Sequence, residues 1–190
     1  MADQSVTHQL ENELNAPAVD ILEAIARGFR AKADVKGKLA ELYLFRELES
    51  ARQKGIIDEV TWNDEDGKPD FEIAKNNKRI IIECKNVRSI TEKTKNMHGD
   101  GWSKVELQKT RNSKDPLNPT RGYSPSHFGV LAACLFNSTK RWEFRYILSS
   151  DLALRKDPPT LLEIYHKVHH AEGQKWTADL AAVLTQALQP

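Results

Sequence analysis

Two apolar segments joined by a pair of asparagines constrain the fold of this chain more than any other feature. Residues 71–75 and 78–82 flank the pair Asn76-Asn77. A two-residue type I′ turn needs positive φ at both central positions, and asparagine tolerates positive φ better than most residues. We therefore predict a β-hairpin whose turn is centred on this pair, with Phe71 opposite Ile82.

The same register brings charged side chains together. Asp70 would face Glu83, and Lys85 would lie on the same side of its strand as Glu83, because strand side chains alternate between faces. Directly opposed residues hold their Cβ atoms about 4.5–5.5 Å apart, and two carboxylates that close repel each other unless a cation lies between them. The alternative is a hairpin with a charged, solvated face. Ile81 would share that face, however, which favours a strand buried on both sides, where a charge is costly unless it binds something.

A glutamate interrupts the apolar side of a predicted helix at residues 37–52. The apolar stripe of this helix contains Leu42, Leu44, Phe45, Leu48 and Ala51. At about 100° per residue, Glu41 falls in the middle of the stripe, where an acidic side chain is unusual. Glu41 is therefore a candidate member of the acidic cluster. The alternative is a glutamate near a helix start, stabilised by backbone amides or by the helix dipole.

The spacing of these residues resembles a known motif. Pro69-Asp70, followed after twelve residues by Glu83-Cys84-Lys85, resembles the PD-(D/E)XK nuclease superfamily, which has the restriction-endonuclease-like fold. The helix with Glu41 looks like the one that carries an extra metal-binding glutamate in many members. The resemblance covers roughly residues 18 to 150. It implies an α/β/α core with a mixed central sheet of four to five strands flanked by helices, and Mg²⁺-dependent cleavage of phosphodiesters.

The resemblance also implies a role for each residue of the cluster. Asp70 and Glu83 would hold the metal, Lys85 would orient or activate the attacking water, and Glu41 would support the metal. The chemistry is consistent, because Mg²⁺ binds one or two carboxylates together with waters and substrate phosphate. A lysine can stabilise the developing charge, or act as a base if burial lowers its pKa. Mn²⁺ is expected to substitute for Mg²⁺.

Positive charge accumulates after the proposed catalytic strand. Residues 85–122 contain nine Lys or Arg against four Asp or Glu, as expected of a segment that contacts phosphate; the alternative is a solvated loop. We predict a long basic loop region at 86–126, with a short helix at 103–111. Gln108 resembles a glutamine that supports the site in some superfamily members. The candidate DNA-binding residues are Lys104, Lys109, Arg111, Lys114 and Arg121.

Composition limits the remaining possibilities. The 190 residues predict a flexible N-terminus at 1–17 and a single domain at 18–190, which the resemblance implies is a nuclease domain. The chain has no apolar run long enough to span a membrane and no secretory signal at its start. Cys84 and Cys134 lie in predicted apolar strands, as expected of reduced core thiols in a cytoplasmic protein. The other predicted elements are strands at 56–62, 127–136 and 141–148 and helices at 161–171 and 175–188.

Three functions remain open at this point. The first is a Mg²⁺-dependent DNA endonuclease of restriction or defence type, which would act as a homodimer because cutting two strands needs two active sites. The second is a structure-selective recombination or repair nuclease, similar to a junction resolvase, with the same site and a different substrate. The third is a catalytically silent DNA-binding module of the same fold.

Overall fold

The amino-terminal part of the chain is helical. The computed structural model of the protein describes residues 8–65, 68–109, 121–171, 173 and 175–189. It contains the helices α1 (Gln9–Leu14), α2 (Ala18–Arg27) and α3 (Phe29–Gln53). Contacts between residues divide the chain into two units, residues 1–39 and residues 40–190. The second unit carries the sheets described below.

Two sheets and two short helices follow α3 in the described residues. The strands are β1 (Glu59–Trp62), β2 (Phe71–Lys75), β3 (Lys78–Asn86), β4 (His98–Gly99), β5 (Trp102–Glu106), β6 (Val130–Cys134), β7 (Phe144–Leu148) and β8 (Tyr165–His169), and the helices are α4 (Phe136–Thr139) and α5 (Leu180–Ala187). The larger sheet has the order β1-β2-β3-β6-β7, and the smaller one has the order β4-β5-β8. The larger sheet is mixed, since β3 and β6 are parallel while its other neighbours are antiparallel.

The predicted hairpin and its register are confirmed. Asn76 and Asn77 have φ of 47° and 64°, as a type I′ turn requires. Phe71 pairs with Ile82, and the register continues without a bulge to the turn. A local turn signal together with a period of two was therefore sufficient to place every residue of β2 against its partner in β3.

Apolar side chains cover both faces of the larger sheet. One face packs against the carboxyl-terminal part of α3 and against α5, through a cluster that includes Leu44, Leu48, Phe71, Ile73, Ile82, Val130, Tyr146, Val183 and Leu184. The other face packs against the smaller sheet, through a cluster that includes Val105, Leu107, Tyr123, Leu131, Ala133, Ile147, Leu162 and Val168. β3 is therefore a central strand that is buried on both sides, as Ile81 indicated.

The architecture is mixed α/β, as predicted, and differs from the expectation in one layer. The resemblance implied a sheet flanked by helices. Helices cover one face, whereas the smaller sheet packs on the other through Val105 of β5 and Val168 of β8. The expectation of helices on both faces is therefore wrong for the second face.

Two predicted helices are strands. The segments at 103–111 and 161–171 contain β5 and β8, which pair antiparallel with Val105 opposite His166. Ser103 and Val105 are buried while Lys104 between them is partly exposed, and β8 shows the same alternation. A short segment of this kind fits a period of two or of 3.6, and here the pairing of the two segments with each other overrides local propensity.

In the part that the structure describes, the predicted loop region at 86–126 contains short strands between stretches without regular structure. β3 extends to Asn86, and β4 and β5 occupy the middle of the segment. The strands predicted at 56–62, 127–136 and 141–148 are confirmed in shorter form as β1, β6 and β7. The helix predicted at 175–188 is confirmed only as α5.

Cys84 and Cys134 are buried and form no disulfide, as predicted for core thiols. Among the described residues, no helix combines the length and the apolar character that crossing a membrane requires.

Candidate active site

Asp70 lies at the point where the chain enters β2. Its backbone carbonyl accepts a hydrogen bond from the Asn63 backbone N–H over 3.0 Å, and the Asn63 side chain donates to the carbonyl of Pro69. The Asp70 carboxylate accepts a hydrogen bond of 2.8 Å from the backbone N–H of Cys84. The end of β1 and the middle of β3 therefore hold this carboxylate at the open end of the hairpin.

Glu83 and Lys85 lie on the face of β3 that is turned toward the smaller sheet. Glu83 is 6% exposed, and its Oε1 lies 2.5 Å from Lys85 Nζ. In the parallel neighbour β6, Leu131 and Ala133 occupy the matching positions and belong to the apolar cluster of that face. The two charged side chains are thus an ion pair set into an apolar layer, where each requires the other.

Tyr123 completes the cluster, and the sequence did not identify this role. Its hydroxyl donates a hydrogen bond of 2.6 Å to Oε1 of Glu83, the same oxygen that contacts Lys85. Both donors converge on Oε1, so Oε2 is the oxygen that neither of them occupies. A tyrosine forty residues away in the chain gives no periodic signal that would connect it with Glu83. We refer to Asp70, Glu83, Lys85 and Tyr123 as the charged cluster.

The surroundings of Asp70 raise its pKa. Burial, followed by the nearby Glu83 carboxylate, raises the pKa of Asp70 to about 7, and Glu41 adds to the increase. Lys85 and the hydrogen bond from the Cys84 N–H act in the opposite direction and do not compensate. The site therefore has a surplus of negative charge that a further cation would relieve.

Lys85 remains protonated in this arrangement. Burial by itself lowers the pKa of Lys85, but the neighbouring Glu83, Tyr123 and Asp70 together raise the pKa above its usual value. Its ammonium group is also 5.9 Å from the centroid of the Tyr123 ring, within the range of a cation–π contact. The geometry therefore favours a role as a fixed positive charge over a role as a general base.

Glu41 lies on α3 close enough to Asp70 to raise its pKa. One oxygen of its carboxylate accepts a hydrogen bond of 2.9 Å from the indole nitrogen of Trp62, at the end of β1. The predicted apolar stripe is confirmed for Leu44, Leu48 and Ala51, which are buried, and Glu41 is partly buried beside them. Its role as a metal ligand stays a prediction.

The proposed DNA-contacting residues separate into groups. Lys109 lies beside the charged cluster, 5.4 Å from the centroid of the Tyr123 ring, and Arg121 donates a hydrogen bond of 2.6 Å to the backbone carbonyl of Lys109. Gln108 follows β5 and is partly exposed. Lys104 lies within β5, opposite Lys167 of β8. Arg111 and Lys114 fall outside the described residues.

The donor set fits a hard divalent cation. Asp70 and Glu83 supply carboxylate oxygens, and Mg²⁺ typically takes one or two carboxylates and keeps several waters. In the part of the chain that the structure describes, no three His, Cys, Asp or Glu side chains form a ready group of metal ligands.

Comparisons with protein-family models, with curated proteins and with solved structures found no match to this chain. The nuclease assignment accordingly depends on the motif and on the geometry of the charged cluster.

Proposed function

We propose that this protein is a Mg²⁺-dependent DNA endonuclease with a PD-(D/E)XK-type active site. One observation carries the proposal: two buried carboxylates that repel each other and a protonated lysine meet at the open end of a hairpin. A stable fold alone gains little from this combination, because each buried charge costs free energy that partners only partly return. The restriction-endonuclease-like fold belongs to the same proposal.

Asp70 and Glu83 would hold the metal in this scheme. Mg²⁺ bound there would acidify a coordinated water and neutralise charge on the phosphate oxygens. Hydrolysis forms a bond from the water oxygen to phosphorus, breaks the bond to the leaving sugar oxygen and delivers one proton to that oxygen. Lys85 would orient the water and stabilise the negative charge that develops on the phosphoryl oxygens.

Tyr123 would act through Glu83. By donating to Oε1 together with Lys85, it fixes the rotation of the carboxylate and directs Oε2 away from both donors. A ligand held in one orientation loses less entropy when it binds, which is the usual effect of a hydrogen bond to a metal ligand. We therefore regard Tyr123 as a positioning residue.

The primary test is cleavage of plasmid DNA by the full chain. We expect nicking and linearisation with Mg²⁺, none with EDTA, and a decrease of at least about 100-fold for Asp70→Ala and for Lys85→Ala. Glu59→Ala on β1 and Lys54→Ala at the end of α3, both exposed, are matched controls that should cleave normally. Equal nicking by the Asp70 and Lys85 variants would remove these residues from the chemistry.

Substitution of the metal gives a second readout. Ca²⁺ is larger and accepts more ligands than Mg²⁺, so we expect it to support DNA binding without cleavage.

A homodimer would supply the two sites that cutting both strands requires.

A further inference from the structure

Two nitrogen atoms that can both donate hydrogen bonds meet beside the charged cluster. Nζ of Lys109 lies 3.3 Å from Nε2 of His127. An ammonium group has donors and no acceptor, so the contact is favourable only if the imidazole nitrogen accepts. The surroundings of His127 show that it does not.

The tautomer of His127 follows from its other nitrogen. Nδ1 accepts a hydrogen bond of 2.7 Å from the backbone N–H of Ser124. Ser124 is the N-cap of the short 3₁₀ helix Pro125–His127, and the side chains of Ser124 and His127 each bond to the backbone of the other. A backbone N–H can only donate, so Nδ1 carries no proton, and the proton of the neutral ring is on Nε2. Nε2 and Nζ are thus both donors, and their convergence calls for an anionic oxygen that accepts from both.

The position of this pair identifies the anion. Lys109 and Lys85 both approach the ring of Tyr123, with Nζ at 5.4 Å and 5.9 Å from its centroid. Glu83 lies near enough to His127 to raise its pKa, although burial and Lys109 lower the pKa overall. Arg121 anchors the backbone of Lys109 through its carbonyl. Because both ammonium groups lie within 6 Å of one ring, a strand whose scissile phosphate reaches Lys85 would have a neighbouring phosphate near the two donors.

We propose that Lys109 Nζ and His127 Nε2 together form a second phosphate subsite, which holds a backbone phosphate next to the scissile one. The identity of the ligand as a nucleic-acid phosphodiester rests on the proposed function, whereas the anion site itself does not. The subsite would align the strand, since phosphate contacts fix the register of a nucleic acid without reading its sequence.

The test compares variants that each remove one donor. Lys109→Gln removes the ammonium group. His127→Asn removes Nε2 but keeps an acceptor near the position of Nδ1, so that the turn with Ser124 is retained. Lys54→Gln, at an exposed position at the end of α3, is the matched control. Circular dichroism of each full-length variant checks the fold.

Binding of a labelled DNA duplex in Ca²⁺ is the first measurement. We expect Lys109→Gln and His127→Asn each to weaken binding about tenfold and Lys54→Gln to leave it unchanged. Lys109→Gln should also lower the slope of log K against log salt by about one. His127→Asn should leave this slope unchanged above neutral pH, because a neutral imidazole releases no counterion. Unchanged affinity in both variants would overturn the subsite.

The His127 ring signals in an NMR titration give the second measurement. We expect them to move with a thymidine dinucleoside phosphodiester in the wild type and to stay fixed in Lys109→Gln. If the signals move with inorganic phosphate but not with the dinucleoside phosphodiester, the nucleic-acid assignment is overturned. If the subsite results hold but Mg²⁺ produces no plasmid cleavage, the proposed nuclease function fails and the anion site stands. If cleavage depends on Asp70 and Lys85 but Lys109→Gln and His127→Asn bind DNA normally, the proposed nuclease function stands and the phosphate subsite fails.

Discussion

Two clusters of polar side chains in this protein differ in the charge that they carry. The charged cluster joins two carboxylates, an ammonium group and a phenol at the end of the hairpin. A second group, which we call the hydroxyl–imidazole cluster, comprises His98, Ser103, Ser138 and His170. The Ser103 hydroxyl is fully buried and lies 3.1 Å from Nδ1 of His98, 2.6 Å from Oγ of Ser138 and 2.9 Å from Nε2 of His170.

The difference between the clusters lies in their charge. Burial, the largest influence, lowers the pKa of both His98 and His170, so the hydroxyl–imidazole cluster remains neutral near neutral pH. In the charged cluster, burial and the nearby Glu83 carboxylate instead raise the pKa of Asp70 to about 7, and the two carboxylates repel each other. The neutral hydroxyl–imidazole cluster connects strands β4 and β5 to α4. Repulsion between carboxylates that perturbs a pKa, as in the charged cluster, is typical of a functional site.

The largest expected effect is that of Asp70→Asn. The Asp70 pKa is about 7 in the folded protein and about 3.9 in the unfolded chain. As the pH rises, the unfolded chain therefore releases this proton first. The free energy of unfolding decreases as the pH rises from the unfolded-state pKa to the folded-state pKa. Asparagine can still accept from Cys84 and carries no charge, so we expect the variant to be more stable than wild type by about 2–4 kcal/mol above pH 7, and inactive.

Thermal unfolding of wild type and Asp70→Asn between acidic and basic pH measures this directly. The two unfolding temperatures should converge near the unfolded-state pKa of about 4. Added Mg²⁺ should raise the unfolding temperature of the wild type more than that of the variant, since only wild type keeps both carboxylates. A variant less stable than wild type in basic solution would show that Asp70 is not under electrostatic stress.

Ser103→Ala should have the next largest effect, and on stability alone. Removing the Ser103 hydroxyl, which is fully buried, leaves His98, Ser138 and His170 without their shared partner, at a cost of about 2 kcal/mol. Cleavage activity per folded molecule should stay at the wild-type level. Ser150→Ala, at an exposed position, is the control for losing a hydroxyl without burial.

The comparison of the two clusters would fail if Ser103→Ala reduced cleavage as strongly as a change in the charged cluster. The pH response provides a further distinction. Because His98 and His170 have lowered pKa values in the folded protein, the stability that they contribute is lost as the pH falls through the histidine pKa of the unfolded chain, about 6.5. Asp70 has the opposite sign, because its contribution decreases as the pH rises.

Tyr123→Phe should have the smallest effect of the three. The ring and its contacts with Lys85 and Lys109 remain, and only the hydroxyl that donates to Glu83 is lost. We expect cleavage to fall about tenfold, mainly through a higher Mg²⁺ concentration at half-maximal rate. Tyr165→Phe on β8, where the side chain is 39% exposed, is the matched control. A lower maximal rate with unchanged Mg²⁺ dependence would contradict a positioning role.

The sequence alone determined the part of the site that depends on neighbouring residues. The turn at Asn76-Asn77 and the alternation along β2 and β3 placed Asp70 near Glu83 and Lys85, because a hairpin's register is set locally. The partly buried Glu41 could also be inferred from the pattern of its own helix. In each of these cases the informative residues are close in the chain.

Only the tertiary structure decided what depends on distant partners. β5 and β8 became strands because each supplies the other's backbone hydrogen bonds, although some sixty residues separate Ser103 from its partner Val168. Tyr123 contacts Glu83 across 40 residues of chain, and His127 contacts Lys109 across 18, and no periodicity in the sequence spans these gaps. Hydrogen-bond geometry between such side chains arises only once the apolar layers have packed, which is why the roles of Tyr123 beside Glu83 and of His127 at the proposed phosphate subsite were identified only in the folded protein.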